Sequence, residues 1–143
     1  MRGPRTIAVA ADRFARSLLF FAVGLESPWA AVGHIFFPEM AARAIGWQTS
    51  PFQFEVGVAN LGIAMAALYA VFRSHQAQLT AALAALGFLG GAGVGHIRDI
   101  LEAGNFAPGN AGPILFTDFL TPVAILVLIW LARGNNAKAP APA

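Results

Sequence analysis

The sequence predicts an all-α integral membrane protein, a four-helix bundle with a short interfacial helix between its first and second spans. Three observations predict it. Of 143 residues, 57% are hydrophobic and 11% charged, against about a quarter charged in an ordinary soluble domain. The apolar residues fall into four stretches, each reaching the ~20 residues that a helix needs to cross a hydrocarbon core. Between the stretches lie the Pro, Gly, Asn and charged residues that end helices.

The first span is expected over residues 14–37, interrupted by Glu26 and Pro28, which predict a kink. Arg2, Arg5, Arg13 and Arg16 before the run Ser17 to Leu25, and Trp29-Ala30-Ala31 after it, look like parts of a signal peptide. The apolar stretch resumes through Phe37, so an uncleaved span is expected. Pro38 suits the first turn of a helix and Glu39 its positive N-terminus. That helix should run from Pro38 to Ile45, stop at Gly46 and be anchored at the interface by Trp47. The second span follows Ser50-Pro51, over 52–72. The turn Arg73-Ser74-His75-Gln76 is short, so the third span, over 79–101, should lie antiparallel to it. Glu102 to Gly112 reads as a turn-rich loop, and the fourth span covers 113–132. Residues 1–13 read as a basic cytoplasmic N-terminus, 14–133 as the four-helix domain, and the Pro/Ala/Asn-rich 134–143 as a disordered cytoplasmic tail.

Orientation follows from the cations. Arg2, Arg5, Arg13, Arg16, Arg73, Arg133 and Lys138 fall on one side, Arg43 and Arg98 on the other, which accounts for all nine. The positive-inside rule puts both termini in the cytoplasm. The basic residues form no groove-sized patch with aromatics, so the net charge of +2 implies no nucleic-acid partner. Without cysteine there are no disulfides, thiolate metal sites, iron–sulfur clusters or covalently attached haem.

The informative residues are the polar ones inside the apolar stretches: Glu26, His34, Glu55, Asn60, His96, Asp99 and Asp118. In lipid such groups mark a buried interaction or a functional site. At ~1.5 Å per residue, His34, Glu55, His96 and Asp118 share a layer roughly 4–8 Å below the outer boundary. Asp99 lies one turn above His96, and Glu26 is near mid-membrane. Small residues allow close helix approach. The stripe Glu55, Ala59, Gly62, Ala66, Ala70 and the stripe Ala81, Ala85, Ala92, His96 therefore predict that Glu55 and His96 face neighbouring helices. Gly87, Gly90, Gly91, Gly93 and Gly95 add packing positions.

Three readings of this layer stay open. The groups can pair across helices, with Asn60, Gln53 and Thr121, and fix the helix register. They can form an outward pocket for a small polar molecule, a quinone head group or a relayed proton, with Glu26 as the inward step. They can hold a metal ion through His34, Glu55, His96 and Asp118, or a b-type haem between the two histidines. The paired Glu-x-x-His repeats of di-iron proteins are missing. Spans two to four offer few polar residues toward the cytoplasmic side, which argues against a finished channel. Arg98 should pair with Glu102 or Asp99, His75 should be a solvated turn residue, and Pro122 should kink the fourth span one turn after Asp118. No Ser–His–Asp elbow, Walker loop or dinucleotide fingerprint occurs, so no motif implies an enzyme.

Gly33-His34-Ile35-Phe36-Phe37, Ala44-Ile45-Gly46-Trp47, Ser50 to Gly57, Gly95-His96-Ile97-Arg98-Asp99 and Asn110-Ala111-Gly112-Pro113 resemble a family of small, uncharacterised four-helix bacterial membrane proteins. The layout is distantly similar to DoxX-like proteins. The resemblance covers roughly His34 to Pro122 and carries no activity. It implies a bacterial inner-membrane location and that His34, Glu55, His96 and Asp99 belong together. The favoured expectation is a protein that binds a small ligand, metal or proton at this cluster. The alternative is a non-catalytic accessory subunit of a larger membrane complex, or a homo-oligomer, exposing a small-residue or aromatic stripe with its polar residues fully paired.

Overall fold

The computed structural model describes residues 4–133, with side chains from residue 6. Arg2, Lys138 and the tail 134–143 lie outside the described residues. Helices account for almost all of the described chain, and it contains no strand. Four helices are long and apolar enough to cross a membrane: Thr6–Phe36, Phe52–Val71, His75–Ala103 and Pro108–Ala132.

The first long helix begins at Pro4 rather than near Phe14. It comprises α1 (Pro4–Leu18), a π-helical segment (Leu19–Leu25) and α2 (Glu26–Phe36). Residues 4–13, expected as a separate basic arm, are thus helical. Ala8, Ala11 and Ala15 are buried, and α1 packs along the last helix. Pro28 has no N–H to give the carbonyl of Gly24, and the widened π turns lie immediately upstream of α2. α3 (Pro38–Ile45) forms as expected, with proline in its first turn and Gly46 at φ 83° ending it. A side chain at Gly46 would be strained there and would meet Asn105.

α4 (Phe52–Val71) packs against α2. The third long helix starts at His75, not Leu79. It comprises α5 (His75–Ala85), a second π segment (Leu86–Gly90) and α6 (Gly91–Ala103). Ser74 caps it by accepting from the N–H of Ala77. The loop contains a single unexpected turn, α7 (Pro108–Ala111). α8 (Pro113–Ala132) then runs over the predicted residues, with Pro122 inside it.

From the middle of the long helices toward the end where the described chain starts and finishes, the interior is mostly apolar. It is built from Leu19, Val23, Ile125 and Ile129 with alanines 15, 67, 70, 81, 82 and 85. Alanine lets helix backbones approach closely. Large apolar side chains such as Phe14, Phe21, Trp29, Met65, Val94 and Trp130 point outward, as on a surface matched to lipid. The contact of α2 with α4 is tightest at Gly57, where an added Cβ would lie 2.5 Å from Ile35 Cγ1 and 3.2 Å from the carbonyl oxygen of Ala31. Gly57→Val is expected to force these helices apart at a cost of about 1–3 kcal/mol, read as reduced resistance to denaturing detergent.

Candidate functional site

The end of the fold opposite the chain termini holds the polar site, built around His96 of α6, which is 6% exposed. Its Nδ1 lies 2.6 Å from Asn110 Oδ1 on α7. The amide nitrogen of Asn110 donates to two carbonyls, Asn105 at 2.8 Å and His96 itself at 3.4 Å. Carbonyls only accept, so these bonds fix the amide orientation. Asn110 therefore presents oxygen to His96, and Nδ1 carries the proton and donates. The other ring nitrogen, Nε2, faces Asp118 Oδ2 of α8 at 3.6 Å. Asp118 is 3% exposed, and this oxygen is buried without a hydrogen-bond partner.

A lid covers this pair. Trp47 stacks over the His96 ring, centroids 6.1 Å apart at 26°. Its indole N–H donates to Asp99 Oδ2 at 3.1 Å. Asn105 donates to the same oxygen at 2.6 Å and to the carbonyl of Ile45 at 2.8 Å. Asp99 thus ties α6 to the segments after α3 and before α7.

Beneath the lid a cavity of about 50 Å³ is lined by Glu26, Ser27, Asn60, Thr117, Asp118 and Thr121, with Ala22 and Leu89 from the two π segments. Asn60 donates its amide hydrogen to the carbonyl of Val56 at 3.0 Å, and Thr117 its hydroxyl to that of Ile114 at 3.1 Å. Their oxygens stay free to accept. A buried water needs ~15 Å³, so a few waters fit. A drug-sized ligand needs ~300–1,000 Å³. Both π segments border this cavity, and such segments occur frequently at functional sites.

A family model described as "Family of unknown function (DUF6790)" matches residues 1–138. The chain belongs to this family. The match agrees with the uncharacterised family that the sequence motifs resemble. No curated protein and no solved structure matches the chain.

In this family member the predicted residues divide. His96 and Asp118 come together, Asp99 sits in the lid, and Asn60 and Glu26 line the cavity, Glu26 from its exposed rim. His34 is half-buried, its Nδ1 2.5 Å from Gln53 Oε1, and it does not join the His96 pair. Glu55 is exposed, contrary to expectation. Of the stripe expected to pack, Glu55, Gly62 and Ala66 are exposed and Ala59 is half-buried, while Ala70 is buried; α4 otherwise buries Gln53, Gly57, Asn60, Ala64 and Ala67. Both stripes have helical spacing, and an all-round apolar helix gives no sign of which one packs. The metal set His34, Glu55, His96, Asp118 is therefore not assembled. Among the described residues no three His, Asp or Glu side chains are placed to hold a metal. Arg98 pairs with Glu102 at 2.8 Å on the surface.

Sequence reasoning missed Asn110 and Ser27, both buried. Asn110 read as a loop residue, although Asn110-Ala111-Gly112-Pro113 was among the matching motifs. His75 is no solvated turn residue, since its Nε2 lies 3.4 Å from Asp12 Oδ1. Gln78, on the side thought poor in polar groups, is 0% exposed.

Proposed function

We propose that this protein is a multi-pass bacterial inner-membrane protein, both termini cytoplasmic, whose His96–Asp118 pair holds and relays a proton. The carrying observation is the buried Asp118 Oδ2, which faces His96 Nε2 with no hydrogen-bond partner. With Nδ1 committed to Asn110, an unprotonated Nε2 would turn a lone pair toward a carboxylate. One proton on Nε2 lets the ring donate to the carboxylate, satisfies both atoms and leaves the pair neutral in a low-dielectric setting. The cavity below takes waters, not a quinone, and leads from Asp118 to Glu26 at its exposed rim. Arg13, Arg16, Arg73 and Arg133 lie at the terminal end, against Arg43 and Arg98 at the site end, which supports the orientation.

The test is ¹⁵N NMR of histidine-labelled protein in lipid. His96 Nε2 should be protonated in the wild type at neutral pH. Asp118→Asn should strip it, because the amide then donates to a bare Nε2. A wild-type Nε2 that stays bare between about pH 5 and 8 sinks the reading.

A second reading, attachment to another membrane helix as an accessory subunit, is favoured by one observation. Gly87, Gly91 and Gly95 form an exposed ridge with nothing within 4 Å of an added Cβ, the kind of surface that membrane helices pack on. A purely structural subunit would pair all its polar groups, and the unpartnered Asp118 oxygen favours the proton reading.

A further inference from the structure

Four buried side-chain polar atoms lack a hydrogen-bond partner among the described residues: Asp118 Oδ2 and, at the terminal end, Asp12 Oδ1, His75 Nδ1 and Gln78 Oε1. Three such atoms at one place call for a shared explanation, since buried polar groups are normally bonded to protein or to water. Two of the three belong to side chains in contact. His75 Nε2 is 3.4 Å from Asp12 Oδ1, and Gln78 lies one turn along α5 on the same face as His75. The amide nitrogen of Gln78 donates to the carbonyl of Arg73 at 3.3 Å, and its oxygen is left without a donor.

We propose that Asp12, His75 and Gln78 form a second, hydrated proton-exchange site, at the end of the fold opposite the His96–Asp118 pair. Both sites have the same parts: a histidine of the third long helix, an aspartate from another helix and an unpartnered carboxylate oxygen. Their separation along that helix is roughly 30 Å at ~1.5 Å per residue, the thickness of a hydrocarbon core. The apolar cluster of Leu19, Val23, Ile125 and Ile129 lies between them.

The charged surroundings differ. α1 contributes Asp12 and also Arg16, whose Nε donates to Asp12 Oδ2 at 2.8 Å and whose Nη1 donates to the carbonyl of Val71. Arg73, in the turn before α5, turns away over the Tyr69 ring at 4.6 Å. α1 also carries the exposed Arg13, α4 has no charge near this end, and α8 has none after Asp118, with Arg133 just past its last turn. Arg16 already neutralises Asp12, so the inner site is neutral without an extra proton. The outer pair is neutral only with one. The outer pair is thus the holding site and the inner site the releasing one. Water bridging the three orphaned atoms would connect the inner site to solution.

The inner site consists of residues separate from the His96–Asp118 pair, its releasing role rests on the proton reading of that pair, and the same sample tests the two apart. The chain has three histidines, so a full-length protein labelled at its histidine and glutamine side chains in lipid vesicles gives three sets of ring-nitrogen signals beside the glutamine amides. Asp12→Asn should shift the His75 set and leave His96 in place, Asp118→Asn should do the reverse, and magnetisation transfer from water should reach the Gln78 amide. An unmoved His75 set in Asp12→Asn, or a Gln78 amide without water contact, overturns the inner site whatever His96 does. Should Asp12→Asn disturb His96 as well, and so the fold, Gln78→Leu decides. Loss of water exchange at the His75 ring N–H supports the site, and unchanged exchange overturns it.

Discussion

Asn110→Ala is expected to lower stability by about 2–4 kcal/mol and to release the His96 ring from its single tautomer. The asparagine is 0% exposed, yet it lies on a one-turn helix in a loop. Its side chain makes three hydrogen bonds, to the His96 ring, the His96 carbonyl and the Asn105 carbonyl. Alanine leaves the His96 ring nitrogen and carbonyl buried without a partner and removes the donor of the half-buried Asn105 carbonyl, and an unsatisfied buried group costs about 1–3 kcal/mol. Partial rehydration through the loop keeps the sum below three full penalties. The isostere is no rescue. Asn110→Asp keeps an acceptor for His96 Nδ1 but turns a carboxylate oxygen toward two carbonyls, so it should destabilise comparably. Unfolding in a denaturant titration in micelles reads the stability, and the ¹⁵N spectrum reads the tautomer. An Asn110→Asp protein as stable as the wild type would reverse the amide orientation, and with it the donor role of His96 Nδ1.

The contrast between Asn110 and Glu55 shows what the sequence could and could not say. Hydropathy and helix-ending residues placed α3 and α8 at their observed bounds, because proline, glycine and the change of solvent act locally. Depth along a helix was legible for the same reason, so His96 and Asp118 were put in one layer and do meet. The face a residue presents is decided by packing between helices. α4 has small residues on two stripes, and only contact with α2 at Gly57 selects the one that carries Gln53 and Asn60 and leaves Glu55 outside. Asn110 was invisible as a ligand of His96 because α7 is set by the fold around it, with Gly109 packed close to the Ala44 carbonyl. Hydropathy alone puts Asp12 in the basic N-terminal segment and His75 in a turn. They become neighbours because the first helix starts at Pro4 and the third at His75, a turn or more beyond the apolar stretches.

The apolar cluster between the two polar ends carries the other large prediction. Leu19 and Ile125 are 0% exposed and Ile129 1% exposed, and nothing polar interrupts them. A proton crossing this layer needs water or a side chain that can carry it, and an aliphatic layer supplies neither. Ile125→Asn places an amide in the barrier, and water drawn to that amide shortens the dry segment from both sides. Proton leak through vesicles bearing the variant should rise roughly tenfold or more, the factor that about 1.4 kcal/mol off the barrier provides. Val127→Asn is the matched control. It makes nearly the same chemical change two residues away on α8, at a position 49% exposed on the outer surface, and should leave the leak at the wild-type level. A pH-sensitive dye trapped inside the vesicles reads both. Equal leak from the two variants would mean that the amide acts by loosening the protein in the bilayer, and that the apolar cluster is packing rather than a barrier. A leak confined to Ile125→Asn would put the barrier where the sequence has only aliphatic side chains, between two ends that each pair a histidine with an aspartate.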